Sequence, residues 1–140
     1  MSFDMVHEII QAFEKLETRQ QRLDLLKKQP QSFVNLMTYA FHQGIEFDAE
    51  IPPYRPSPEP EGLNFLYLLN EVDQLYKYIR NHPKRPAGLT PRKQREFLLV
   101  MLESLHKKEA EILVSIMTNK FKVNYLTVGL LKEAYPNINL

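Results

Sequence analysis

Seven bases and no acid lie between Lys77 and Arg95: Lys77, Arg80, Lys84, Arg85, Arg92, Lys93 and Arg95. Such a run can follow a phosphate backbone without reading sequence. Just before it, between Glu46 and Asp73, stand seven acids and one base, Arg55. The chain as a whole carries +1, so its middle third is a charge dipole inside a nearly neutral protein. A local field of this kind, not the net charge, decides what a surface attracts. Lys77 and Arg80 would suit a helix C-terminus, where a cation is stabilised by about 0.3–1 kcal/mol. Arg92 and Lys93 stand at a helix start, where the same field opposes them. They call for an outside anion or for the acidic stretch of the same molecule. Tyr67, Tyr76, Tyr78, Tyr125 and Tyr135 are rings that could stack on bases. Tyr78, set between Lys77 and Arg80, is the best candidate for an exposed one.

Other chemistry lacks its residues. Four glycines build neither a P-loop nor a dinucleotide fingerprint. His7, His42, His82 and His106 are dispersed, with no pair at metal-ligand spacing on one expected helix. Ser104 and Ser115 fall within expected helices rather than on a nucleophile turn. The absence of cysteine excludes disulfides, thiolate metal sites and thiol nucleophiles. A hydrolase or transferase would need a deep polar pocket around Glu71 or Asp73. No enzyme activity, metal or cofactor is expected.

The elements that must hold these residues read as helices. Few glycines and clustered prolines mark defined breaks. The first helix is expected from Phe3 to Leu16, capped by Ser2, with Met5, Val6, Ile9, Ile10, Phe13 and Leu16 on one face. Thr18 caps a second, with Leu23, Leu25 and Leu26 inward. A third runs from Ser32 to Phe41 and closes at Gly44 in the left-handed region. Five prolines between Ile45 and Glu61 (Pro52, Pro53, Pro56, Pro58 and Pro60) forbid helix and central strand alike. Ile45, Phe47, Ile51 and Tyr54 would anchor that stretch as an extended strap. The apolar stripe Leu66, Leu69, Val72, Leu75, Tyr76 and Ile79 predicts a long fourth helix from Leu63 to Arg80. Thr90 and Pro91 start a fifth, with Phe97, Leu98, Met101, Leu102 and Leu105 inward. A sixth covers Lys107 to Asn119, and a seventh Tyr125 to Ala134. The expectation is an all-α fold of about seven helices in one domain, 1–140, with a proline-rich strap at 45–62. No signal peptide or membrane span is legible, which points to a cytoplasmic protein.

Three segments carry a family resemblance: TRQQRLDLLKK at 18–28, LMTYAFHQG at 36–44 before the prolines, and EAEILVSIMTNK at 109–120 before a closing helix. In order and apolar pattern they resemble the helical N-terminal DNA-binding domain of tailed-phage ATP-dependent DNA ligases. The resemblance covers nearly the whole chain and implies a phage protein acting in the host cytoplasm. In that family a glycine-containing break near the DNA precedes the last helix. Here Asn124 takes its place, and Lys120 and Lys122 would be the matching backbone contacts. No Lys-x-Asp-Gly motif occurs, so ligation by these residues is not expected.

Two functions are compatible with these features. One is a non-enzymatic accessory protein gripping duplex DNA through Lys77, Arg80, Lys84, Arg85, Arg92, Lys93, Lys120 and Lys122. The other is an adapter for a host or replication protein, using segregated acidic and basic faces. Its strap, with Tyr54, Arg55, Glu59 and Glu61, would be the recognition segment.

Overall fold

The computed structural model describes residues 5–60 and 63–140. Ser2, Phe3 and Glu61 therefore lie outside the described residues. The expected all-α fold is present. Helices α1 (Val6–Lys15), α2 (Arg19–Lys27) and α3 (Gln31–Phe41) precede an extended strap. After it come α4 (Leu68–Glu71), a 3-10 helix (Val72–Tyr78), α5 (Pro91–Ser104), α6 (Lys107–Met117) and α7 (Val128–Ala134). One apolar core unites residues from all of them. Helix α6 packs on α1, α3 and α4, while α7 closes on α2.

Several helix starts follow local chemistry. Thr18 and Gln21 form a reciprocal capping box on α2. The Thr90 hydroxyl accepts the Lys93 N–H ahead of Pro91, and Thr127 does the same for Leu130. Helix α7 thus begins later than Tyr125.

The start of α1 is secured from a distance. Glu109, on α6, is fully buried. Its Oε2 accepts the Val6 N–H at 2.9 Å and its Oε1 the Leu68 N–H at 3.0 Å. One carboxylate therefore satisfies the first helical N–H of both α1 and α4, groups that no residue within those helices can partner. The positive ends of the two helices also favour its charge. Burial pushes the Glu109 carboxyl up and these two N–H bonds pull it back, with the net direction upward.

The long fourth helix is replaced by something tighter. Residues 63–67 are not helical, and only four residues of α-helix precede seven of 3-10 helix. The stripe explains why. Val72, Leu75 and Tyr78 recur every third residue, and all three are buried. A period of three aligns on a 3-10 helix and drifts on an α-helix. Tyr78 is consequently core, at 1 % exposure, and not an exposed stacking ring. Burial raises its hydroxyl to about 12.

Gly44 is not in the left-handed region. Helix α3 ends at His42, whose Nδ1 accepts the Gly44 N–H at 2.9 Å. A Cβ on Gly44 would meet His42 Cε1 at 2.9 Å. A side chain here would displace the His42 ring from that hydrogen bond. The break before α7 does contain left-handed residues, but they are Asn119 (φ 59°) and Tyr125 (φ 71°) rather than Asn124. The Arg22 guanidinium sits 3.8 Å from the Tyr125 ring centroid, and the Asn124 N–H is held by Glu14.

Glu109→Ala is expected to strand two buried donors and lower stability by about 3 kcal/mol, read from urea unfolding midpoints. Because the folded pKa lies above the usual carboxylate range, the native state holds its proton longer than the unfolded chain. The wild-type advantage should therefore be largest below that range and shrink as pH rises through the folded pKa.

Candidate interaction surfaces

The acidic and basic thirds of the sequence meet each other. The strap runs extended past the end of the 3-10 helix, with a bridge between Phe47 and Ile79. The Asp48 N–H reaches Tyr78 O at 2.9 Å and the Arg80 N–H reaches Glu46 O at 2.8 Å. An extended chain turns alternate side chains to one side. Glu46, Asp48 and Glu50 fall on the side toward the bases. Glu46 pairs with Arg80 at 3.4 Å. Asp48 takes Arg85 Nη1 on both oxygens at 2.8 Å. Glu50 shares a cleft of about 410 Å³ with Arg92 and Arg95.

Asp48 is the centre of this arrangement. Its carboxylate also accepts from Gln94 Nε2 at 3.3 Å. Gln94 in turn donates to Lys77 O at 2.8 Å, and Arg85 to Ile79 O at 3.1 Å. Three successive carbonyls at the end of the 3-10 helix are thus satisfied by Gln94, the Asp48 N–H and Arg85. Burial raises the Asp48 carboxyl, but hydrogen bonds from Arg85 and Gln94, with the charges of Arg85 and Arg80, outweigh it. The net position is below the usual value.

The expected phosphate-binding bases therefore differ in state. Arg80 and Arg85 are paired with strap acids, and Arg92 with Glu96 one turn on. The Lys77 ammonium lies 5.1 Å from the centroid of the Phe97 ring. Lys84 and Lys93 are exposed and, among the described residues, form no ion pair. Lys120 and Lys122 line a different cleft, of about 270 Å³ between α1 and the end of α6, together with Lys108, Glu111 and Phe121. The clefts that hold Arg80, Arg85, Arg92 and Arg95 contain neither tail lysine.

The strap is docked along its described length. Tyr54 packs half-buried against the core. The Arg55 N–H donates to Glu103 and the Ser57 N–H to Leu105 O. The side chains of Arg55 and Glu59 are exposed. Asp73 is exposed on the 3-10 helix and Glu71 half-buried at the end of α4, and among the described residues no cluster of three or more His, Asp and Glu could hold a metal.

An apolar surface was missed. Phe97 was expected in the core but is 47 % exposed, and Val100, on the same face of α5, is 63 % exposed. Lys93, Phe97, Val100 and Ser104 follow one another at spacings of four, three and four, which is one helix stripe. At its C-terminal end, Ser104 O accepts the Leu66 N–H at 3.0 Å. That bond brings the non-helical segment 63–66 to the last turn of α5. There Asn64 and Leu66 turn inward, and Leu63 (67 %) and Phe65 (88 %) turn out. The signal was present in the alternation of 63–66, but it was hidden under a helical stripe.

No protein-family model, curated protein or solved structure matches the chain. Among the described residues no helix is long and apolar enough to cross a membrane.

Asp48→Asn should cost about 2 kcal/mol at neutral pH, the scale of a hydrogen bond to a charged group. A carboxylate with a depressed folded pKa stabilises above its unfolded value, 3.8, and loses that contribution as pH falls through the folded value. Urea midpoints of wild type and variant should therefore converge on acidification, opposite to the trend for Glu109→Ala.

Proposed function

We propose that this chain is a non-enzymatic helical interaction module that docks a protein partner in the cytoplasm through the outer face of α5. The supporting observation is the solvent-facing set Phe97, Val100, Leu63 and Phe65. Large apolar residues gathered at one face of a small domain mark an interaction site. Nucleic-acid surfaces are, in contrast, polar and basic. Within the basic corner, Arg80 and Arg85 are paired with acids of the protein's own strap, and Arg92 with Glu96 of α5.

Phe97→Ser with Val100→Ser should keep a cooperative thermal unfolding curve with only a modest shift, since Val100 is exposed and Phe97 about half exposed. Tagged wild-type protein incubated with nuclease-treated lysate of the native host should retain a partner that this variant loses. Truncating central apolar anchors typically costs 2 kcal/mol or more, about thirtyfold in affinity. Equal capture by both proteins would remove α5 as the docking face.

One observation favours the second reading, contact with duplex DNA, which is also what the phage-ligase resemblance implies. Lys108, Lys120 and Lys122 border one cleft and, among the described residues, carry no ion pair. Binding through them should fall with salt at a log–log slope of about −2 to −3, from about −0.9 per phosphate. Fluorescence anisotropy of a labelled duplex, with Lys120→Glu and Lys122→Glu as the comparison, measures this. Absence of binding at low salt would dismiss it.

A further inference from the structure

We infer that the α5 face takes an acidic amphipathic helix of a partner protein. This rests on the module reading above and adds the chemistry of the partner. The face carries exposed apolar residues, Phe97 and Val100, and is cationic at one end. The stripe from Lys93 to Ser104 spans twelve residues, eleven steps of 1.5 Å or about 16 Å. That length matches about three turns of a second helix, whose large apolar side chains at i, i+3 or i+4, and i+7 would sit on Phe97, Val100 and the Leu63–Phe65 end.

The charges around the stripe give the partner its sign. The acids beside it are already engaged: Glu96 by Arg92 at 3.3 Å, and Glu103 by the Arg55 N–H at 2.9 Å. The cations at the Phe97 end are not. Lys93 is exposed one turn before Phe97, and the Lys77 ammonium stands over the Phe97 ring. Among the described residues neither has a carboxylate partner. A helix with Asp or Glu over this end and apolar residues along the rest would complete both the ammonium groups and the rings. A basic helix would meet two uncompensated cations, so the same feature that attracts one partner rejects the other.

The test uses the full chain as bait for a displayed library of randomised peptides, followed by anisotropy titration of the synthetic peptides recovered. Enriched sequences should place large apolar residues at helical spacing and Asp or Glu to one side. Their affinity should drop at least tenfold with Phe97→Ser plus Val100→Ser. It should drop about threefold or more with Lys77→Gln plus Lys93→Gln, and weaken as salt is raised. Circular dichroism melts establish that both variants fold. Enriched peptides that need Phe97 and Val100 but carry no acids would overturn the partner chemistry and leave the module reading standing. A library that yields no peptide dependent on Phe97 and Val100 overturns the inference. Host-lysate capture lost with Phe97→Ser plus Val100→Ser would then keep the module reading, and unchanged capture would end that too. Self-association of the chain abolished by Val100→Ser, seen by sedimentation, would assign the face to a second copy and also overturn the inference. So would duplex DNA binding that depends on Phe97 and Val100.

Discussion

A single carboxylate, Asp48, is the point at which the middle of this molecule is joined. It bonds Arg85 and Gln94, and those side chains in turn satisfy carbonyls at the end of the 3-10 helix. Seven residues is long for a 3-10 helix, whose hydrogen bonds are poorly aligned. Its closing carbonyls would otherwise face a half-buried site without partners. The strap, the 3-10 helix, the loop at Arg85 and the first turns of α5 therefore form one cooperative unit. Glu109 does the equivalent for α1 and α4. Both are acids used to hold backbone donors or their suppliers, and neither needs an outside ligand.

This changes what the charge dipole of the sequence means. Opposite charge runs adjacent in sequence can attract external partners, or they can fold back on each other. Here the alternation Glu46, Asp48, Glu50 along an extended strap is matched with Arg80, Arg85 and the Arg92–Arg95 turn. Much of the electrostatic asymmetry is spent internally, on geometry. What remains for recognition is Lys77 and Lys93 beside α5, Lys84 and Arg95 in the basic run, a few lysines near the tail, and an uncovered apolar stripe.

The legible part of the fold was that governed by neighbours in sequence. Thr18, Thr90 and Pro91 mark helix starts because capping is local. The prolines of the strap forbid helix wherever they occur. The illegible part depended on partners far along the chain. Glu109 looks like an ordinary surface acid of an amphipathic helix until α1 and α4 are placed against it. Tyr78 looks exposed between two bases because its burial follows from a period of three, which over a short stretch is indistinguishable from half of a helical pattern. Phe97 looks like core because it lies near Leu98 and Met101, but its stripe is shared with Lys93 and Ser104. The lysines of the two basic segments were assigned to one surface from charge alone, and charge carries no information on distance.

Several of the ties between the ends of the chain are very long. Val6 to Glu109 spans 103 positions, Asn124 to Glu14 spans 110, and the Tyr135 hydroxyl reaches Leu26 O across 109. Arg19 pairs with Glu133 across 114. During translation the first two helices emerge long before the residues that lock them. The main partners of α1 and α2 are α6 and α7, so those apolar faces gain their cover only when the last helices are in place. The contacts that close the fold are thus of high sequence separation, and forming them carries the loop-closure cost that slows folding.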